Sequence, residues 1–124
     1  MLLKKEGPMS EEVIDVPEFL ERVQDDKELL FELLDIFVGD YRGKRKSLGE
    51  AIKKNDYEEV RMIAHSLKGA SGNVSAKALR QTFIKIEEMR KQNDYTGAEE
   101  TLKTMDQRFE ELLKRISVLK EELK

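Results

Sequence analysis

One histidine, His65, stands in a chain of 124 residues that contains no cysteine. Those two counts remove disulfides, thiol nucleophiles, thiolate metal sites and paired-imidazole ligation of zinc or haem. What remains is a single imidazole and many carboxylates. An imidazole, with a reference pKa of about 6.5, offers an unprotonated ring nitrogen near pH 7 that can serve as a general base or attack an activated phosphoryl group. Ser66 and Ser71 lie close by in sequence, but adjacent helical residues point apart and nothing marks an oxyanion hole, so a hydrolase built on His65 is disfavoured. No glycine-rich nucleotide loop occurs anywhere in the chain.

A helical projection of Arg61 to Ala76 shows how such a histidine would be held. Val60, Ile63, Leu67, Ala70 and Val74 follow a seven-residue rhythm and form the stripe expected to be buried. His65 is two residues from both Ile63 and Leu67, or about 200° around the helix, so it points away from the core. Arg61, Lys68, Gly69 and Gly72 share its face. A glycine inside an exposed helix costs about 0.5–1 kcal/mol relative to alanine, so two of them beside the lone histidine need a reason. One reason is bare backbone that lets another protein approach the imidazole; the plainer one is that Gly69 and Gly72-Asn73 end the helix.

The surrounding elements read as helices throughout. Seven glycines and two prolines leave little room for the turns of an all-β protein, and apolar residues recur three and four apart. Met1 to Ser10, with Gly7-Pro8, reads as a linker or frayed terminus, and residues 11–124 as one domain. Asp15 followed by Val16-Pro17-Glu18 starts a short helix to about Val23. Asp25-Asp26 open a longer one through Leu30, Leu34, Phe37, Tyr41, Leu48 and Ile52, interrupted by Gly39, Gly43 and Gly49. Asp56 with Glu59 can form a reciprocal capping box at the start of the next. A further helix runs from about Ser75 to Gln92, and from Ala98 the seam Leu102, Met105, Phe109, Leu112, Ile116, Leu119 continues for more than three heptads. The simplest way to bury these stripes is an all-α fold, an antiparallel four-helix bundle with the short first helix covering one end. A coiled-coil dimer through the last helix is the competing use of that seam.

Charge narrows the partners. With 23 basic and 26 acidic residues the net charge is −3, which gives no global attraction to nucleic acid or an anionic membrane. The run Arg42-Gly43-Lys44-Arg45-Lys46 lacks interleaved aromatics for base stacking and reads as a solvated helix face. There is neither a long apolar run nor a secretory signal pattern, so a cytoplasmic location is expected.

The segment Ala64-His65-Ser66-Leu67-Lys68-Gly69-Ala70-Ser71-Gly72-Asn73 resembles the signature of histidine-containing phosphotransfer (Hpt) domains, an alanine-histidine pair followed after one residue by Leu-Lys-Gly. Asn55-Asp56-Tyr57 resembles the turn before that motif, Ala76 and Leu79 the start of the next helix, and the hairpin after Arg90 the closing turn. The resemblance spans about Asp15 to Ile116 and implies a four-helix bundle. It departs at one position, since the family commonly has glycine ten residues after its histidine and this chain has Ser75, a residue expected to cap the following helix.

The resemblance implies that His65 takes a phosphoryl group from, and passes it to, the aspartate of response-regulator receiver domains, or takes it from a sensor or hybrid histidine kinase. Such a module is a phosphocarrier and not an independently turning-over enzyme. Lys68, one turn on, can place its ammonium near the phosphoryl oxygens. Reflecting the hairpin about Val74 brings residues near Phe83 to Glu87 opposite His65, and Glu87 is the polar side chain among them expected to reach the other ring nitrogen and fix the tautomer. Arg61, Gly69, Gly72 and Ser75 are the expected docking positions. The chain is expected to bind no metal or other cofactor of its own, with Mg2+ supplied by the receiver, and to be a monomer. The alternative is a non-catalytic helical adaptor in which His65 is incidental.

Overall fold

The computed structural model describes residues 12–123, so the stretch expected to be a linker, Met1 to Ser10, lies outside the described residues. Five helices follow one another: α1 (Val16–Arg22), α2 (Lys27–Lys53), α3 (Tyr57–Asn73), α4 (Lys77–Gln92) and α5 (Ala98–Glu122). Three of them begin on an aspartate whose carboxylate accepts the amide three residues on, Asp15 from Glu18, Asp26 from Leu29 and Asp56 from Glu59. Each such cap stabilises a helix by about 1 kcal/mol. The reciprocal half of the box expected at Asp56 is not made, because the Asp56 amide already donates to the Ala51 carbonyl at 2.9 Å. α2 runs through Gly39, Gly43 and Gly49 as one helix of 27 residues.

Short turns make α2 to α5 antiparallel neighbours, with α2 and α4 each packed on both α3 and α5. Leu34, Tyr41 and Leu48 of α2 meet Val60 and Leu67 of α3, Phe83 and Ile86 of α4, and Met105 and Leu112 of α5 in one core. Burying a side chain of this size stabilises the fold by about 1.5–3 kcal/mol. The Tyr41 ring stacks on Phe109 at 4.2 Å, and burial, reinforced by the Asp106 carboxylate, pushes its phenol well above the usual range. The α5 seam, Met105, Phe109, Leu112, Ile116 and Leu119, is buried against the chain's own helices. The bundle thus consumes the stripe that a coiled coil would have needed.

The basic run is not the simply solvated face its composition suggests. Lys44 Nζ donates to Ser66 Oγ at 2.7 Å and to Asp40 at 3.0 Å, Arg45 pairs with Asp106 at 2.9 Å, and the Arg42 guanidinium lies 5.3 Å above the Phe109 ring. Long stems let these cations stay partly wet while tying α2 to α3 and α5.

α1 packs on α2 and closes the end of the bundle at the α3–α4 turn. The Asp15 amide donates to the Ser75 carbonyl at 2.9 Å, and the Ala78 amide to the Glu12 carbonyl at 2.9 Å. Ser75 does not cap α4. Its φ of +55° is in the left-handed region that favours glycine, and its hydroxyl donates sideways to Glu18 Oε1 at 2.7 Å. Ala76 occupies the capping position without a side-chain bond, so α4 begins at Lys77, two residues later than expected.

Candidate functional site

α3 has one enclosed face and one open face. Val60, Ala64, Leu67 and Ser71 are fully buried, whereas Arg61, Met62, His65 and Gly69 meet solvent. The difference follows from the helical period, which sets the apolar positions on one side and leaves the histidine on the other. The His65 side chain is 70% exposed, and its Nδ1 lies 3.3 Å from Oε2 of Glu87 on α4. The other oxygen of the same carboxylate, Oε1, lies 2.8 Å from Nζ of Lys68. The sequence-predicted trio His65, Lys68 and Glu87 is therefore one connected cluster across the α3–α4 interface.

Electrostatics fix the state of its centre. Partial burial pushes the Glu87 carboxyl up, but hydrogen bonds from Lys68 and His65 outweigh this and hold it below the usual carboxylate range. An ionised carboxylate only accepts, so the geometry favours the His65 tautomer with its proton on Nδ1. Nε2, on the opposite edge of the ring, is then the unprotonated nitrogen. Lys68 stands engaged by Glu87 and not free above the imidazole.

A family model described as the Hpt domain matches residues 32–119, from within α2 to the last turns of α5. The chain belongs to the Hpt domain family. Among curated proteins it is similar to the phosphorelay intermediate protein rdeA of Dictyostelium discoideum, 26% identical over 120 residues, which are 97% of this chain and 47% of that protein. The chain thus spans about half the length of the curated relative it matches. Among solved structures it is similar to histidine-containing phosphotransfer protein B (HptB) of Pseudomonas aeruginosa PAO1, with a TM-score of 0.80, 24% identity, and coverage of 91% of this chain and 98% of that one. That likeness concerns the fold, a helical bundle.

The four docking positions expected from sequence differ in what the Hpt domain does with them. Arg61 is half-exposed but held by Glu58 one turn back, with Nε donating at 3.0 Å. Gly69 is open, since nothing lies within 4 Å of where a Cβ would stand. Gly72 faces Arg80, whose Nε lies 3.4 Å from the site of a Cβ; Gly69 does not end the helix, whereas Gly72-Asn73 are the last two residues of α3. Ser75 is only 1% exposed. It is therefore not a docking residue: enclosed under α1, it acts from inside by fixing the turn.

Two features of the site were missed in the sequence. Met62, three residues before His65 on the same face, is 54% exposed, and its spacing alone could have singled it out. The Lys44–Ser66 bond beside His65 joins residues 22 apart and depends on the register of α2 against α3, for which no local signal exists. Among the described residues no group of three or more acidic or histidine side chains is placed to hold a metal ion, and no helix is long and apolar enough to cross a membrane.

Proposed function

We propose that His65 is the phosphoryl acceptor and that its Nε2 exchanges the group with the aspartate of a receiver domain. The observation that carries this is a histidine 70% exposed whose Nδ1 is tied to an ionised carboxylate, leaving Nε2 outward. In the forward step the Nε2 lone pair attacks phosphorus, an N–P bond forms, the P–O bond to the aspartyl carboxylate breaks, and that carboxylate leaves with the electron pair. The ring becomes an imidazolium that keeps its Nδ1 proton, so no proton has to move. Glu87 faces the new positive charge, and Lys68, already on the same carboxylate, limits the negative charge that accumulates around the phosphoryl group. The reverse step uses the same contacts, with imidazole as the leaving group.

Gathering the phosphoryl oxygens is the task of a divalent cation, expected on the receiver. This side contributes a nucleophile and a surface, and it has no turnover without a partner. Partners of the required chemistry are receiver domains and the kinase that charges them. The chain is proposed to act as a monomer.

A transfer assay tests the reading. The protein is mixed with a pre-phosphorylated receiver and Mg2+, and gain of an acid-labile, base-stable phosphate is followed. Uptake by the wild type and none by His65→Gln is expected. Absence of uptake from a panel of charged receivers, in a sample shown by circular dichroism to be helical, would favour the adaptor reading.

A further inference from the structure

Beside His65, a cleft of about 480 Å³ runs between α3, α4 and α1, lined by Lys68, Gly69, Gly72, Arg80, Arg22 and Glu18. Gly72 is seven residues from His65, which places the far end of the cleft about 10 Å along the helix from the imidazole. The glycines keep the α3 wall flat. At Gly69 a Cβ would meet nothing, and at Gly72 it would rest in ordinary contact with the side chain of Arg80 across the interface.

The charges of the cleft do not balance. Lys68 is engaged by Glu87 at 2.8 Å. Glu18, the one carboxylate in the lining, is shared by the Ser75 hydroxyl and Lys77, and stands 3.8 Å from Arg22. The Arg80 side chain has no hydrogen bond or ion pair to any described residue, its backbone amide going to the Ala76 carbonyl. A guanidinium is charged at every physiological pH and presents a planar fork that fits a carboxylate through two parallel bonds. This one lies over a glycine at the rim of a positively charged cleft, unpaired among the described residues.

We infer that the cleft is a socket for a carboxylate side chain of the receiver that meets His65, with Arg80 as its anchor and Arg22 as its second cation. The inference rests on the phosphotransfer reading, and it names what selects the partner. Continuity supports it, because Lys68 borders both the imidazole cluster and the cleft, so a protein seated over His65 also covers Arg80. Size and openness set a free anion apart from a partner's carboxylate. The cleft is wide, faces solvent and includes the Glu18 carboxylate, so a lone anion gains little, whereas a carboxylate on a partner already docked at His65 arrives at high effective concentration. A charge at such a rim governs encounter and affinity more than the chemical step.

The test is phosphotransfer from a charged receiver to wild type, Arg80→Ala and Arg80→Glu, each verified as folded by circular dichroism, with rates followed over a range of receiver concentrations and of salt. For Arg80→Glu the KM is expected to rise about tenfold while the rate at saturation holds, with a smaller rise for Arg80→Ala and a flatter salt dependence in both. Exchanging one acidic receiver residue for lysine should restore the Arg80→Glu protein and no other. Failure of the wild type to accept phosphate would overturn both readings. Normal wild-type transfer with an unchanged KM for Arg80→Glu would overturn the socket alone, as would inorganic phosphate binding at the Arg80 amide with a Kd below about 1 mM in a chemical-shift titration.

Discussion

Glu87 takes Lys68 on one oxygen and His65 on the other, and at the far end of the same hairpin Glu18 takes Ser75 on one oxygen and Lys77 on the other. Both carboxyls lie below their usual range. For Glu18 the Ser75 hydroxyl is the first cause and Lys77 the second; for Glu87 partial burial opposes the shift, and the bonds from Lys68 and His65 overcome it. The difference lies in the partners. Ser75 is enclosed and spends its only donor on Glu18, so that cluster is a closed clasp. His65 reaches solvent and keeps a second nitrogen that Glu87 does not use, so the same type of bridge there leaves an atom oriented outward with nothing on it. A carboxylate bridge is structural where every partner is used up, and it becomes chemical where one partner has a further bond to make.

Breaking each bridge should therefore register in a different measurement. Glu87→Ala releases the ring from its tautomer and orientation, and phosphoryl uptake at saturating receiver should slow about tenfold to a hundredfold in rapid-quench experiments. A rate within twofold of wild type would mean that the two bridges do not differ in kind. Ser75→Ala keeps the left-handed backbone but removes the hydroxyl from the clasp, which should lower the melting midpoint by about 3–5 °C. Ser75→Gly should lose less, because glycine relieves the backbone while losing the same bond; equal midpoints for the two variants would mean that the φ of +55° carries no cost. The smallest effect is on pH dependence. The folded-state pKa of Glu87 is depressed, so its share of stability is complete above the ordinary glutamate value of about 4.3 and is lost as pH falls through the lower folded value. Glu87→Gln removes that share, and its midpoints should fall less steeply than wild type as pH drops below the ordinary glutamate value of about 4.3, as a calorimetric series would show.

The bundle and the outward histidine were legible because both depend on a local period. Val60, Leu67 and His65 declare their faces within one helix, and Asp15, Asp26 and Asp56 mark three helix starts by type alone. Glu87 was reachable for a related reason, since a tight turn between two helices places residues opposite one another in mirror order about the turn from Val74 to Ala76. Ser75 was misread because its neighbour Glu18 is 57 residues away, so neither its left-handed backbone nor its sideways hydrogen bond leaves a trace in the adjoining sequence. Lys44 with Ser66 and Arg45 with Asp106 failed in the same way. A charge run looks solvated until the register of the opposing helix shows which carboxylate or hydroxyl it reaches.

The seven residues of α1 are too few to hold a helix in water unaided, and their ties run to a turn far along the chain, whereas α2 to α5 each pack on the element next to them in sequence. Assembly of the protein divides accordingly. The four long helices can condense through contacts local in sequence, which is the fast route for a helical chain, whereas the ties of α1 to the Ser75 turn close a loop of more than fifty residues. Phe19 of α1 is nevertheless fully buried in the common core, so the element is held both by its own packing and by the turn it closes. Because α1 supplies Glu18 and Arg22 to the wall beside Arg80, that wall depends on contacts between segments far apart in sequence, while His65 and Glu87 are paired within one hairpin.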